Sequence, residues 1–163
     1  MLTIRQITNK QEWEAFVKKQ EFSAFVQSPT YGEFYRKLGE DYVIVGLYDN
    51  GTLIGGSLVL TTHAKRGNFL YLPYGPILDY SDIHQLEAFF DYLTDYAKKS
   101  GYDFIRISPL VDESNEVEKS VQSLGLRPAP MHVLAETSWI LYLNKSEEEL
   151  LKDMKKNHRN LVR

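Results

Sequence analysis

Apolar and polar positions along this 163-residue chain switch between a strand-like period of two and a helix-like period near 3.6. Residues 2–8 read as a short strand. Over 10–20, Trp13, Phe16 and Val17 fall on one helical face. Tyr31, Phe34, Tyr35 and Leu38 then repeat at i, i+3, i+4 and i+7, which predicts an amphipathic helix. Ser28 is placed to cap it, Pro29 occupies its first position, and Gly39 stands where a left-handed residue closes it. The Val- and Ile-rich run 42–48 predicts a strand. Asn50-Gly51 predicts a tight hairpin turn, because such a turn needs positive φ at its centre. The return strand runs over 53–62, Lys65-Arg66-Gly67-Asn68 reads as a second turn, and 69–74 as a third strand stopped by Gly75-Pro76.

The second half continues with a long helix from Ser81 or Asp82 to Lys99. Ile83, Leu86, Phe89, Phe90, Leu93 and Ala97 form its buried stripe, and Gly101 lies just past its end. Residues 104–107 predict a short buried strand, ended by Ser108-Pro109. Residues 115–124 predict a helix with Val117, Val121 and Leu124 on one face. Partial alternation over 133–143 predicts a last strand. Ser146-x-x-Glu149 is a capping box for a terminal helix with Leu150, Leu151 and Met154 as its apolar contacts. The order is β-α-α-β-β-β-α-β-α-β-α. An antiparallel meander followed by α-β-α-β is similar to the layout of a GNAT-like α+β domain, with a mixed, mainly antiparallel sheet flanked by helices. Fold analogy of this kind does not by itself fix function.

Composition narrows the chemistry. The chain has no cysteine, which excludes disulfides, thiolate metal sites and a cysteine nucleophile. No apolar run approaches the length of a transmembrane helix. The first 20 residues carry Arg5, Lys10, Glu12 and Glu14 and do not form the apolar stretch of a secretory signal. Net charge is −3, but residues 151–163 hold five basic residues and one acid, so a +4 tail follows a −7 body. A basic tail can meet a phosphate-bearing partner, but cations near a helix C-terminus also serve the macrodipole, and that reading carries more weight.

Several familiar site chemistries are absent. There is no G-x-x-x-x-G-K-[ST], no G-x-G-x-x-G ahead of a helix and no G-x-S-x-G. His63, His84, His132 and His158 show no metal-ligand spacing, so a metal is not expected. Acetyl-CoA enzymes on this fold cradle pyrophosphate on backbone N–H groups at a glycine-rich turn after the central strand. The matching junction here is Leu72-Pro73-Tyr74-Gly75-Pro76-Ile77, where two prolines remove two donors, so no CoA cofactor is expected. Arg106 stands among strongly apolar neighbours at a strand end. It is either an open-face arginine or a fork for a carboxylate or phosphate. Arg36 and Lys37 adjoin an aromatic helix face, and Tyr31, Tyr35, Tyr71 and Tyr74 either pack in the core or line a groove.

Taken in order, Phe25-Val26-Gln27-Ser28 with Tyr31-Gly32-Glu33-Phe34, Leu38-Gly39, Tyr71-Leu72-Pro73-Tyr74-Gly75-Pro76-Ile77-Leu78-Asp79, Ile105-Arg106-Ile107-Ser108-Pro109, Leu124-Gly125, Thr137-Ser138-Trp139 with Leu141-Tyr142-Leu143, and Met154-Lys155-Lys156…Arg159 resemble the FemAB family. The resemblance implies a cytoplasmic aminoacyltransferase built from two GNAT-like domains. Such enzymes move an amino acid from aminoacyl-tRNA to an amino group of a peptidoglycan precursor, a UDP- or lipid-linked muramyl peptide, in forming the interpeptide bridge. Residues 1–145 would be the first domain and 146–163 a helix leading toward a second that this chain lacks. The membrane would be met only through a lipid-linked substrate. The first domain contributes much of the precursor cleft, which places Tyr35, Arg36, Lys37, Tyr74 and Arg106 as candidate substrate-binding residues. Two of these depart from the family's habit, because Tyr35 and Tyr74 stand where such proteins often carry a basic residue. The chemistry would be ester aminolysis, with positioning and oxyanion donors carrying the rate and no general base identifiable. The alternatives are an acyl-CoA N-acyltransferase and a precursor-binding module without catalysis.

Overall fold

The computed structural model describes residues 1–22, 24–65, 67–112, 114–135 and 137–162. Five strands form one sheet in the order β1-β2-β3-β4-β5: β1 (Leu2–Gln6), β2 (Asp41–Asp49), β3 (Thr52–Ala64), β4 (Gly67–Leu72) and β5 (Phe104–Ile107). The first four pair antiparallel, and β4 and β5 pair in parallel. Helices α1 (Lys10–Val17) and α2 (Pro29–Lys37) precede β2. Helix α3 (Ile83–Ser100) makes the crossover from β4 to β5, and α4 (Asn115–Ser123), α5 (Glu147–Asp153) and α6 (Lys156–Val162) follow.

Local sequence chemistry sets these boundaries. Asn50 and Gly51 have φ of 47° and 83°, the paired positive values a tight hairpin turn demands, and they fix Asp49 opposite Thr52. The Ser28 hydroxyl accepts from the Tyr31 N–H at 3.2 Å, with Pro29 at the first position of α2. The capping box at Ser146 and Glu149 forms as the motif predicts. The turn predicted at 65–68 is shorter, since Gly67 and Asn68 already pair with Ala64 and His63; Arg66 lies outside the described residues.

One predicted element does not form. Residues 133–143 make no strand among the described residues; Glu136 lies outside them. Alternation supplies β-propensity only; a strand forms when its backbone pairs with an edge, and among the described residues this run makes no ladder with β5, the sheet's outer strand. Trp139, Leu141 and Leu143 are consequently 93%, 59% and 75% exposed. The terminal helix also divides in two, between Asp153 and Lys156.

The period of two along each strand creates two apolar layers. Val45, Leu47, Val59, Leu70 and Leu72 face α3, where Leu86, Phe89 and Leu93 are fully buried. Tyr42, Ile44, Leu58, Leu60 and Tyr71 face the other way, onto Trp13 and Val17 of α1, with Tyr31 and Tyr35 of α2 packed against them. Burying one such side chain contributes about 1.5–3 kcal/mol.

A single buried polar residue ties this second layer together. Gln27 is fully buried. Its Nε2 donates to the Pro73 carbonyl at 2.5 Å, its Oε1 accepts from the Leu58 N–H at 2.8 Å, and its own carbonyl accepts from Trp13 Nε1 at 2.7 Å. The approach is close enough that a Cβ on Gly75 would meet Gln27 Nε2 at 2.7 Å, so only glycine fits beside it. Gln27→Ala would leave a buried N–H and a buried carbonyl unpaired around a cavity. We expect urea denaturation to show a loss of about 3 kcal/mol or more, and Ser57→Ala, which removes a 3.4 Å contact to Gln27 and a 2.9 Å bond to the adjacent Leu58 carbonyl but opens no comparable cavity, to cost less than that.

Candidate functional site

On α2, Tyr31 and Tyr35 are one turn apart and face the sheet. Their rings lie 5.1 Å apart, and the Tyr31 hydroxyl donates to the Tyr35 hydroxyl at 3.4 Å. Burial and that contact hold the Tyr31 phenol far above its usual range. Beneath them β4 presents Tyr71 on the same layer. Its ring is nearly buried at 4% exposure, and its hydroxyl has no hydrogen-bond partner among the described residues. Burial pushes the Tyr71 phenol up, while the neighbouring Ser108 hydroxyl and then Arg106 pull it down.

Arg106 stands opposite Tyr71 in the β4–β5 register. Paired residues of parallel strands point to the same face, so the guanidinium lies beside the phenol. One guanidinium N–H donates to the Met131 carbonyl. Two residues back, on the same face, Phe69 and Phe104 stack at 4.7 Å. Tyr74 follows β4 with φ of 48°, a left-handed value sparsely populated by bulky residues and characteristic of functional turns. Its hydroxyl reaches Ser138 Oγ at 3.4 Å. Tyr74, Phe104, Arg106, Ser108, Met131 and Leu134 line an open cavity of about 1160 Å³ at this end of the sheet.

Of the five candidate residues, Tyr35, Tyr74 and Arg106 converge around Tyr71, and Arg36 and Lys37 do not. Arg36 donates through Nη2 and Nε to Asp41 at 2.7 and 2.9 Å and through Nη1 to Glu33 at 2.9 Å, and it lies over the Tyr42 ring. Lys37 is exposed, and two residues on from Tyr35 it falls about 200° round the helix from it. Phe104, absent from the sequence reading of the site, was recoverable from it, since period two from Arg106 puts both on one face.

The ion network around Arg36 is structural. Glu33 also accepts from Lys10 at 2.5 Å and from the Tyr42 hydroxyl at 2.7 Å, and these bonds hold its carboxyl down at about 2. A carboxylate depressed in the folded state stabilises above its unfolded value and loses that contribution as pH falls. Stability should therefore decline as pH drops from 4.5 toward about 2. Thermal melts of Glu33→Gln should show a flatter decline over that window, and salt should narrow the difference between the two chains.

The junction from β4 to α3 bears on cofactor use. The Gly75 N–H donates to the Leu72 carbonyl and the Ile77 N–H to the Gly56 carbonyl, while Pro73 and Pro76 have none to give. At the start of α3 the Asp82 carboxylate accepts from the His84 and Gln85 N–H groups. An incoming pyrophosphate would find the Gly75 and Ile77 amides engaged and a negative charge at Asp82. Calorimetry with CoA should show no binding in the micromolar range. Among the described residues no group of three potential ligands could hold a metal ion, and no helix is long and apolar enough to cross a membrane.

Solved structures share this architecture. FemX matches with a TM-score of 0.83 at 23% identity, over 98% of this chain and 42% of that one. A probable acetyltransferase matches with a TM-score of 0.57 at 16% identity, over 88% of this chain and 99% of that one. Glucosamine-6-phosphate N-acetyltransferase from Arabidopsis thaliana matches with a TM-score of 0.53 at 15% identity, over 83% of this chain and 97% of that one. The fold is thus the GNAT-like α+β architecture, and the chain spans less than half the length of FemX. No curated protein sequence matches significantly. A family model, the FemAB family, matches residues 8–163.

Proposed function

The chain belongs to the FemAB family, and from that premise we propose that it is one GNAT-like unit of an aminoacyltransferase acting on a peptidoglycan precursor. The family match over residues 8–163 carries this reading. In it, residues 1–145 form the unit and 146–163 lead toward a second one. The exposed run around Trp139, Leu141 and Leu143 supports this, since a contiguous apolar surface is normally covered by another body. The acceptor is a UDP- or lipid-linked muramyl peptide, the donor an aminoacyl-tRNA engaged by the whole protein, and the place of reaction the cytoplasm.

Within this unit the precursor lies along the cavity that Tyr74 and Arg106 line, with Tyr35, near Tyr71, as a further contact. Arg36 and Lys37 act from its outer margin, Arg36 chiefly by fixing α2 to β2 through Asp41. The unit's contribution is to hold the acceptor so that its neutral amine meets the ester carbonyl in line, a proximity effect that one wall of a cleft supplies only in part. The acyl-CoA alternative is disfavoured by the occupied amides at the β4–α3 junction.

Two measurements test the proposal together. Titration of this chain with UDP-muramyl pentapeptide should show saturable binding that weakens with salt, as charge-assisted contacts do. Transfer of a radiolabelled amino acid from charged tRNA to the same precursor should not proceed with this chain alone. Absence of precursor binding overturns the assignment of the cleft. Robust turnover by the chain alone overturns its reading as one part of a larger catalyst.

A further inference from the structure

Among the described residues, two buried side-chain polar atoms lack a hydrogen-bond partner, the Tyr71 hydroxyl and Arg159 Nε. Arg159 is otherwise anchored, its Nη2 donating to the Lys152 and Met154 carbonyls. For Tyr71 the nearest candidate is the Ser108 hydroxyl, and the two do not meet in hydrogen-bonding geometry. Buried hydroxyls are normally paired, because an unpaired one carries its full desolvation penalty, and a phenylalanine would fill the same space without it.

The surroundings of that hydroxyl define what it could bind. Arg106 stands beside it on the same face and has one N–H engaged by the Met131 carbonyl out of the five that a guanidinium offers. Tyr35 and Tyr74 are near enough to act on its charge, and Ser108 approaches without reaching hydrogen-bonding geometry. Burial keeps the phenol protonated at neutral pH, so it is a donor. No carboxylate is among the groups that act on Tyr71. A phenol O–H and a guanidinium fork side by side form a donor pair for an anionic oxygen.

The geometry points to a two-donor subsite in which the Tyr71 hydroxyl and the Arg106 guanidinium together bind one anionic group, a carboxylate or a phosphate. The ligand oxygen takes the place on Arg106 that the Met131 carbonyl holds. It enters by displacing Leu134, which packs on the layer containing Tyr71. The subsite deepens the proposed precursor cleft and rests on that reading for the natural ligand, which carries both a pyrophosphate and peptide carboxylates.

The test is a titration of the whole chain with three probes: UDP-muramyl pentapeptide, inorganic pyrophosphate, and N-acetyl-D-alanyl-D-alanine. Tyr71→Phe should weaken binding by at least about tenfold, the scale of one charge-assisted hydrogen bond. Its melting temperature should equal or exceed the parent's, because the hydroxyl has no partner to lose. Leu134→Ala should bind more tightly than the parent. The small probe that binds in a Tyr71-dependent way identifies the source of the anion. If the parent binds the precursor and Tyr71→Phe binds it equally well, the subsite is overturned while the precursor reading stands. If the precursor does not bind but a small anion does, and Tyr71→Phe abolishes it, the subsite stands and the precursor reading falls. A parent that binds none of the three, or a Tyr71→Phe chain with a clearly lower melting temperature, overturns the subsite.

Discussion

The buried amide of Gln27 is the constraint on which the rest of this domain depends. An uncharged side chain with one acceptor and two donors can satisfy backbone groups from separate segments without the desolvation cost of a charge. Here it joins β3 through Leu58 to the turn after β4 through Pro73, and its backbone carbonyl receives the Trp13 indole from α1. Three parts of the chain distant in sequence are thereby held to one point. Because Ser28 follows immediately and caps α2, the same point also sets where α2 begins.

That placement carries through to the cleft. The start of α2 determines which way Tyr31 and Tyr35 face, and the turn after β4 determines where Tyr74 sits. Tyr71 and Arg106 are aligned by the parallel β4–β5 register. Several residues by which the FemAB resemblance was read are therefore scaffold. Gln27 and Gly75 meet each other, and Ser28 caps a helix. In this chain they pack one buried node, which is how a motif can identify a family without naming its chemistry.

Charge is distributed in a way that separates support from recognition. The Lys10–Glu33–Arg36–Asp41 network lies on the outer side of α2, with its cations and carboxylates answering one another. The cleft side of the same helix presents phenols, and Arg106 faces them from the sheet. A surface of aromatic rings with few compensated charges suits a ligand that is partly sugar or peptide and bears localised anions, since rings supply contact area and hydroxyls supply direction.

The helices and strands up to residue 125, the hairpin turn, the two helix caps and the apolar stripe of α3 were legible in the sequence, because each rests on residues close together along the chain. Periodicity, a capping hydroxyl and an Asn-Gly turn act locally and need no partner from elsewhere. The strand predicted at 133–143 does not form among the described residues: alternation is a local signal, whereas pairing with a sheet edge is not local and cannot be read from alternation. In the sequence Arg36 and Lys37 simply adjoin an aromatic helix face, while the direction Arg36 takes depends on Asp41 and Glu33 being within reach. The orphaned hydroxyl of Tyr71 was invisible for the same reason. Whether a buried polar group has a partner is decided by every segment that folds around it, and only the tertiary structure brings those segments together.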